Sequence, residues 1–201
     1  MSQTRHAGVI LGLCVMCAVL ILSATHTFTQ DAIERTRYKT LMSNLSAVLP
    51  DGPYDNNPVS SAHMLESSAL DTVKPTRVYP VYKQGAPYAA VLTLHTTHGY
   101  NGSIRLLLGV TAQGVITGAR VIEHAETPGL GDDIDLHHSS WIMAFDHLSL
   151  HNTSNTDWAV KAQGGQFDAF TGASITPRAV IEAIHRALVW FRAHPQEVFT
   201  P

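Results

Sequence analysis

The feature that most constrains the fold is an uncharged, apolar run of eighteen residues near the N-terminus, Ala7 to Ala24. As an α-helix with a rise of about 1.5 Å per residue, this run spans roughly 27 Å, close to the hydrocarbon thickness of a bilayer. A cleaved signal peptide is the competing interpretation, but Leu22 lies where the cleavage site requires a small residue. We therefore expect an uncleaved transmembrane helix over residues 7–26.

The charges that flank this span do not decide its orientation. Arg5 precedes it, whereas Arg35, Arg37 and Lys39 follow it, so the preference of basic loops for the cytoplasm gives no clean answer. The short N-terminal segment favours residues 1–6 as a cytoplasmic tail. The remainder of the chain is then expected on the periplasmic side of an inner membrane.

Composition excludes several classes of function. With 16 acidic and 13 basic residues and a formal charge of −3, the chain lacks the electrostatic footprint of a nucleic-acid partner. Cys14 and Cys17 lie inside the apolar span, where thiols behave as small hydrophobes, and the rest of the chain has no cysteine for disulfides or thiolate metal sites. His147 and His151 have metal-ligand spacing on a helix but no evident third ligand, so we expect no metal.

The rest of the chain is predicted to form an α+β domain behind a connecting segment. Residues 28–49 are expected to continue the helix, and 51–68 to form a loop. Strands are predicted over 77–82 and 89–95, a hairpin over 103–110 and 115–123, a helix over 132–148 and a short strand over 157–162. Strands followed by helices without strict alternation indicate an antiparallel sheet with packed helices. We place the connection at residues 27–75 and the domain at 76–201.

A hydroxyl-rich loop near the C-terminus, Thr171 to Thr176, leads into an amphipathic segment. Thr176 is a suitable N-cap and Pro177 a suitable first helical residue. A helix N-terminus presents free N–H groups and a partial positive charge, so it attracts phosphate. A capped helix after a turn, with solvated hydroxyls, explains the same spacing. One face of the predicted helix repeats at three, four and seven residues: Val180, Ala183, Ile184, Ala187, Leu188 and Phe191.

A second loop, Glu123 to Asp133, connects the predicted hairpin to the next helix. It packs turn formers between acidic residues, and on its own it indicates only a tight turn. His124 stands at a strand end, where we expect it to support the loop around Glu126 by hydrogen bonding. The two loops together are far more specific than either one.

These motifs resemble the FMN-binding domain shared by Rnf and Na+-translocating NADH:quinone reductase complexes. The resemblance rests on His124-x-Glu-Thr-Pro-Gly-Leu-Gly131, on Thr171-Gly-Ala-Ser-x-Thr176 and on Gly99-Tyr-x-Gly-x-Ile104. It covers essentially the whole chain, with the motifs in the expected order. Residue 171 is threonine where the family usually has serine, and residue 174 is serine where the family usually has threonine. Both substitutions keep the hydroxyl group.

The resemblance implies a covalently bound FMN. Its phosphate would form a phosphoester with Thr176, installed by a dedicated flavin transferase that uses FAD as donor. Leu130 and Ile175 would offer apolar surface to the isoalloxazine ring, and Glu126 would either tune the flavin or hold the loop. The full set of cofactor-binding residues that the resemblance implies is Thr171, Gly172, Ala173, Ser174, Ile175, Thr176, Glu126, Thr127, Gly129 and Leu130.

The implied function is that of an electron-carrier subunit in a membrane complex that couples electron transfer to ion translocation. Its partners would be membrane flavoprotein and iron–sulfur subunits, and it would have no turnover of its own. The single anchor and the length resemble the Rnf branch. The alternatives are the C-type subunit of the quinone reductase, usually a longer chain, and a non-redox anchored binding or sensory module.

Overall fold

A computed structural model describes residues 2–66, 70 and 75–200. The chain divides into two compact units, Met1–Met42 and Ser43–Pro201. The helices are α1 (Ser2–Ser46), α2 (Ile175–Ala193) and α3 (Pro195–Phe199), and the strands are β1 (His63–Leu65), β2 (Thr76–Lys83), β3 (Ala86–Gly99), β4 (Gly102–Thr111) and β5 (Ile116–Glu123). The predicted domain limits at residues 27, 76 and 201 stay a prediction.

The first unit is formed by α1 as far as Met42. The helix is continuous through the predicted span and most of the predicted helix behind it, and it ends at Ser46. From Ile10 onward it is long and apolar enough to cross a membrane, with a mean hydropathy of 2.1 over its most apolar stretch. Large apolar side chains on it are exposed, Leu20 at 62% and Leu22 at 69%. Exposed apolar surface on this scale is typical of a segment that contacts lipid or another protein, which supports association with a membrane.

The second unit is built on an antiparallel sheet in the order β1-β2-β3-β4-β5. The predicted hairpin between β4 and β5 is confirmed, and its turn is closed by the N–H of Thr111 donating to the carbonyl of Val115 at 2.8 Å. Each neighbouring pair of strands is consecutive in sequence and antiparallel. The α+β class predicted from the sequence is confirmed.

Helix α2 covers one face of this sheet and packs mainly against β3. The face predicted from its periodicity is buried throughout, from Val180 to Phe191. It meets Leu92, Leu94 and other apolar residues of the strands in a common core. The helical period therefore identified the packed face of α2 correctly.

The opposite face of the sheet is covered by the chain that leaves α1. Val48 is completely buried, and its carbonyl accepts a hydrogen bond from the hydroxyl of Thr117 on β5. Gly109 on β4 permits this approach, because a β-carbon there would overlap the carbonyl oxygen of Val48. The segment that follows α1 is thus held against the sheet at a strand position that only glycine tolerates.

Three predicted segments are wrong. The loop predicted over 51–68 contains strand β1 (His63–Leu65), and its last two residues lie outside the described residues. The helix predicted over 132–148 is replaced by two 3₁₀ helices, Asp132–Ile134 and Ser140–Phe145. Between them, the side chains of Asp135 and Ser139 accept hydrogen bonds from the backbone N–H groups of His137 and Trp141. Such local side-chain acceptors compete with helical hydrogen bonds. The apolar residues still face the core, because the short helices bury Ile134, Trp141, Ile142 and Phe145.

The strand predicted over 157–162 is also wrong. Val160 forms only an isolated bridge with Phe167, and Lys161–Gln163 is a 3₁₀ helix. Gly164 adopts a left-handed conformation with φ +87°, which turns the chain back at once. The chain after Gly164 forms hydrogen bonds with the residues just before the turn. The segment is therefore too short to form a strand.

Candidate functional site

Three segments that are distant in sequence meet at the N-terminal end of α2. They are the loop 124–132 after β5, the turn between β3 and β4, and the loop 171–175. A β-carbon at Gly172, where φ is +79°, would lie 3.7 Å from the side chain of Leu130. The two loops that the sequence singled out are therefore neighbours in space.

The centre of the site is a hydrogen bond between two buried side chains. The hydroxyl of Thr176 donates to Oε2 of Glu126 at 2.6 Å. Thr176 is 0% exposed and Glu126 is 5% exposed. A hydrogen bond to a carboxylate in such surroundings is strong and fixes both side chains. The prediction that both residues belong to one site gains geometric support here.

The second oxygen of this carboxylate is held by the turn between β3 and β4. Oε1 of Glu126 accepts a hydrogen bond from the backbone N–H of Asn101 at 3.2 Å. The side-chain amide of Asn101 donates in turn to the hydroxyl of Thr127 at 2.9 Å. Both oxygens of Glu126 thus have hydrogen-bond partners. The contact of Asn101 with Oε1 directs Oε2 toward Thr176.

Two glycines make room for the carboxylate. A β-carbon at Gly99 would lie 2.6 Å from Oε1 of Glu126. A β-carbon at Gly131 would lie 2.7 Å from Oε2 and 3.1 Å from the hydroxyl oxygen of Thr176. Larger residues at these positions would displace the carboxylate, so the glycines of both motifs serve close packing around one side chain.

Backbone hydrogen bonds fix the shape of the loop 124–132. Nδ1 of His124 accepts from the N–H of Glu126 at 3.2 Å, which confirms the supporting role predicted for this histidine. The carbonyl of Thr127 accepts from the N–H groups of Leu130 and Gly131. Oδ1 of Asp132 accepts from the N–H of Gly129 at 2.7 Å, and its Oδ2 lies 3.3 Å from His138. Of the two roles expected for Glu126, holding the loop is the one visible in these contacts.

The surface around the buried pair of Thr176 and Glu126 carries both polar and apolar groups. Thr171, Gly172 and Ser174 are exposed, and Ala173 is half-buried. Leu130 and Ile175 are each 45% exposed. A helix N-terminus, several hydroxyls and two exposed aliphatic side chains match the phosphate and the ring system of a flavin nucleotide. These residues therefore fit the cofactor that the resemblance implies.

The structure corrects one detail of the predicted cap. Helix α2 begins at Ile175, with Ser174 as the N-cap, so Thr176 and Pro177 lie inside its first turn. Thr176 does not cap the helix, because its hydroxyl is committed to the distant Glu126. The preference of threonine for the N-cap position is overridden by a hydrogen bond to a residue 50 positions away in the sequence.

Asn101 is the site residue that sequence reasoning missed. It occupies a variable position of the Gly99-to-Ile104 motif, and its bonds to Glu126 and Thr127 reveal its role. The histidine pair with metal-ligand spacing does not lie on a helix, since His147 is in a left-handed conformation with φ 67°. Within the described residues no group of three or more His, Cys, Asp or Glu side chains could hold a metal ion.

Comparison with known proteins agrees with this geometry. Residues 99–189 match the FMN-binding domain family. This range contains both loops and the turn that carries Asn101, which defines the chain as a protein with an FMN-binding domain.

Relatives extend the match to nearly the full chain. The G-type subunit of the ion-translocating oxidoreductase complex of Pseudoalteromonas atlantica is 39% identical over 96% of this chain and 90% of its own length. The subunits of the same name from Pseudomonas aeruginosa and Cereibacter sphaeroides are 39% and 40% identical, over 94% and 90% of their own lengths. The chain belongs to this family, the G-type subunits of Rnf-type ion-translocating oxidoreductase complexes.

Among solved structures, NqrC of Shewanella oneidensis aligns with 22% identity and a TM-score of 0.48, over 74% of this chain and 72% of that chain. The C-type subunit of the Na+-translocating NADH-quinone reductase from Parabacteroides distasonis aligns with 18% identity and a TM-score of 0.40, over 76% and 73%.

Proposed function

We propose that this protein is the flavin-carrying subunit of a membrane complex that couples electron transfer to ion translocation. The observation that carries the proposal is the buried Thr176 hydroxyl on Glu126, at the end of a helix within an FMN-binding domain. Full-length similarity to relatives named as subunits of an ion-translocating oxidoreductase complex supports the role in such a complex. The bound flavin would supply one- or two-electron redox chemistry, and the protein its position and electrostatics.

The FMN is attached, in this proposal, by a phosphoester to Thr176. The N-terminus of α2 stabilises a phosphate through its free N–H groups and its dipole. The exposed hydroxyls of Thr171 and Ser174 belong to the loop that leads into this helix, with Gly172 and Ala173 between them. The exposed side chains of Leu130 and Ile175 would contact the ring. The loop residues Thr127 and Gly129 complete the cofactor-binding set.

The anchor and the partners follow from the same assignment. Helix α1 would cross the inner membrane once, with the FMN-binding unit on the periplasmic side. Electron donors and acceptors would be redox centres of membrane flavoprotein and iron–sulfur subunits, and the chain would have no turnover alone. A flavin transferase that uses FAD would install the cofactor during maturation. A covalent bond suits a compartment where a dissociated flavin is not replaced.

Intact mass spectrometry of the full chain tests this proposal. After expression with a flavin transferase, the wild-type chain should gain the mass of one FMN less one water and stay yellow on denaturation. Thr176→Ala should abolish both signals. The matched control is Thr156→Ala, an exposed threonine bonded to Ser154 outside the site, which should keep the flavin. Acid-stable flavin on Thr176→Ala would overturn the assignment of the attachment residue.

The side of the membrane is tested separately. In intact spheroplasts, a protease added from outside should cleave the unit that follows α1. Protection of that unit until the membrane is permeabilised would contradict the periplasmic orientation but leave the flavin site unaffected.

A further inference from the structure

We propose that Glu126 is the general base of the flavin attachment reaction, so that this chain supplies a catalytic residue for its own modification. The inference rests on the proposed attachment of FMN to Thr176. It follows from the contact itself, because Oε2 of Glu126 lies 2.6 Å from the oxygen that must become the nucleophile. That distance is within the range a candidate base needs to take up the proton.

The orientation of the carboxylate favours this role over a general structural one. The backbone N–H of Asn101 holds Oε1, so Oε2 is the oxygen left for Thr176. The absence of a side chain at Gly131 lets its backbone pack beside both reacting atoms without displacing them. A hydroxyl is a weak nucleophile at neutral pH, and an adjacent base is the usual means of activating it.

The same contact explains which hydroxyl is chosen. The loop offers Thr171, Ser174 and Thr176, and the first two are more exposed than the third. Among the hydroxyls of residues 171–176, which the structure describes in full, Thr176 alone donates to a carboxylate. Selection of the buried hydroxyl over its exposed neighbours is therefore a matter of activation and not of access.

Flavin attachment is a substitution at phosphorus. The hydroxyl oxygen of Thr176 attacks the phosphorus of FAD that belongs to the FMN half. A new oxygen–phosphorus bond forms, the pyrophosphate bond to the adenylate half breaks, and AMP leaves. The hydroxyl proton passes to Oε2 of Glu126. No oxidant or reductant is required.

The proton transfer also prevents repulsion between two negative charges. The product carries an anionic phosphodiester next to a carboxyl group that is 5% exposed. Two like charges at such a distance and burial disfavour each other strongly. A protonated Glu126 removes the repulsion and becomes a hydrogen-bond donor beside the new ester.

Access to the hydroxyl requires a local opening. Thr176 is 0% exposed, so the donor reaches it only when the residues in front of it move aside. The loop residues that precede it, Thr171, Gly172, Ser174 and Ile175, are all exposed. Glu126 belongs to a separate loop, 124–132, held by His124 and Asn101, so it can keep its contact with Thr176 while the loop 171–175 opens.

The test measures the initial rate of flavin incorporation into the full-length apoprotein in detergent, with purified flavin transferase and FAD, by in-gel fluorescence and intact mass. Glu126→Gln keeps a hydrogen-bond acceptor of the same size but removes the proton acceptor. We expect its rate to fall by about 100-fold or more, the contribution typical of a positioned base. Asp146→Asn, which removes a half-buried carboxylate outside the site, should incorporate flavin at the wild-type rate.

Chemical rescue separates a base from a structural support. Glu126→Ala leaves a space flanked by Gly99 and Gly131, which formate or acetate can enter. The rescued rate should rise with the pKa of the added acid, because a stronger base accepts the proton more readily. Packing alone would not produce that dependence. Should Glu126→Gln fail to unfold cooperatively, Glu126→Asp replaces it, and its withdrawn carboxylate should still slow incorporation more than tenfold.

The outcomes are distinguishable. Wild-type protein that takes up no flavin overturns the proposed function itself. Wild-type incorporation together with a folded Glu126→Gln variant that reacts within about threefold of the wild-type rate overturns only the role of Glu126. Rescue that is independent of the acid's pKa does the same, since it assigns the carboxylate to packing.

Discussion

Substitution of Gly131 by alanine is the sharpest perturbation of this site. The backbone of Gly131 has φ −93° and ψ −10°, which alanine adopts without strain. The added β-carbon would lie 2.7 Å from Oε2 of Glu126 and 3.1 Å from the hydroxyl oxygen of Thr176. The variant therefore acts by steric displacement, and the carboxylate must withdraw from the hydroxyl.

The magnitude follows from two contributions. Overpacking of a buried site costs about 1–3 kcal/mol, and loss of a buried hydrogen bond to a charged group about 1.5–3 kcal/mol. Because the two overlap, we expect about 2–4 kcal/mol in total. At roughly 2–4 °C per kcal/mol for a unit of this size, the melting temperature should fall by about 4–16 °C.

The assay is thermal unfolding of the full chain in one detergent, combined with the rate of flavin incorporation. Gly164→Ala is the control, because Gly164 has φ +87° and nothing within 4 Å of an added β-carbon. That variant should lose about 1–2 kcal/mol from backbone strain alone, with an unchanged incorporation rate. A Gly131→Ala protein that melts within about 1 °C of wild type and takes up flavin at its rate would refute the reasoning.

Two further predictions concern parts of the fold away from the flavin site. Gly109→Ala should destabilise the second unit by about 3 kcal/mol, the upper end of overpacking, because its β-carbon would overlap the backbone oxygen of Val48; a wild-type melting temperature would contradict that contact. Burial, reinforced by the nearby Arg192 cation, lowers the pKa of His185 below its ordinary value of 6.5. The folded protein therefore favours the neutral form of His185. The contribution of this residue to the free energy of unfolding is fully present above pH 6.5 and is lost as the pH falls through the lowered pKa. His185→Gln should therefore lose less melting temperature between neutral and acidic pH than wild type, and equal losses in the two proteins would argue against it.

The parts of the fold that were predictable are those set by local patterns. An uninterrupted apolar run produced a helix, and a period near 3.6 residues identified the buried face of α2. The turn at residues 111–114 joined two strands as expected. The segment 132–148 was wrong because apolar spacing alone does not distinguish an α-helix from short 3₁₀ helices interrupted by polar caps.

The candidate site was predictable as a set of motifs but not as an arrangement. Glu126 and Thr176 were both named from the sequence, yet two roles for Glu126 remained open. Thr176 was assigned to the helix cap, where its own propensity places it. Its bond to a carboxylate 50 residues away depends on the sheet holding the loop 124–132 against α2, which no local pattern contains.

By itself, the sequence determined an apolar N-terminal helix, an α+β domain, a hydroxyl-rich loop suited to a phosphate and a second loop of turn formers between acidic residues. These properties follow from solvation and backbone preference, which act over a few neighbouring residues. Tertiary structure decided that the loops meet, that Asn101 orients the carboxylate, and that Val48 closes the far face of the sheet over Gly109. Those contacts depend on strand register and helix packing, because only the folded chain brings residues so distant in sequence within hydrogen-bonding distance.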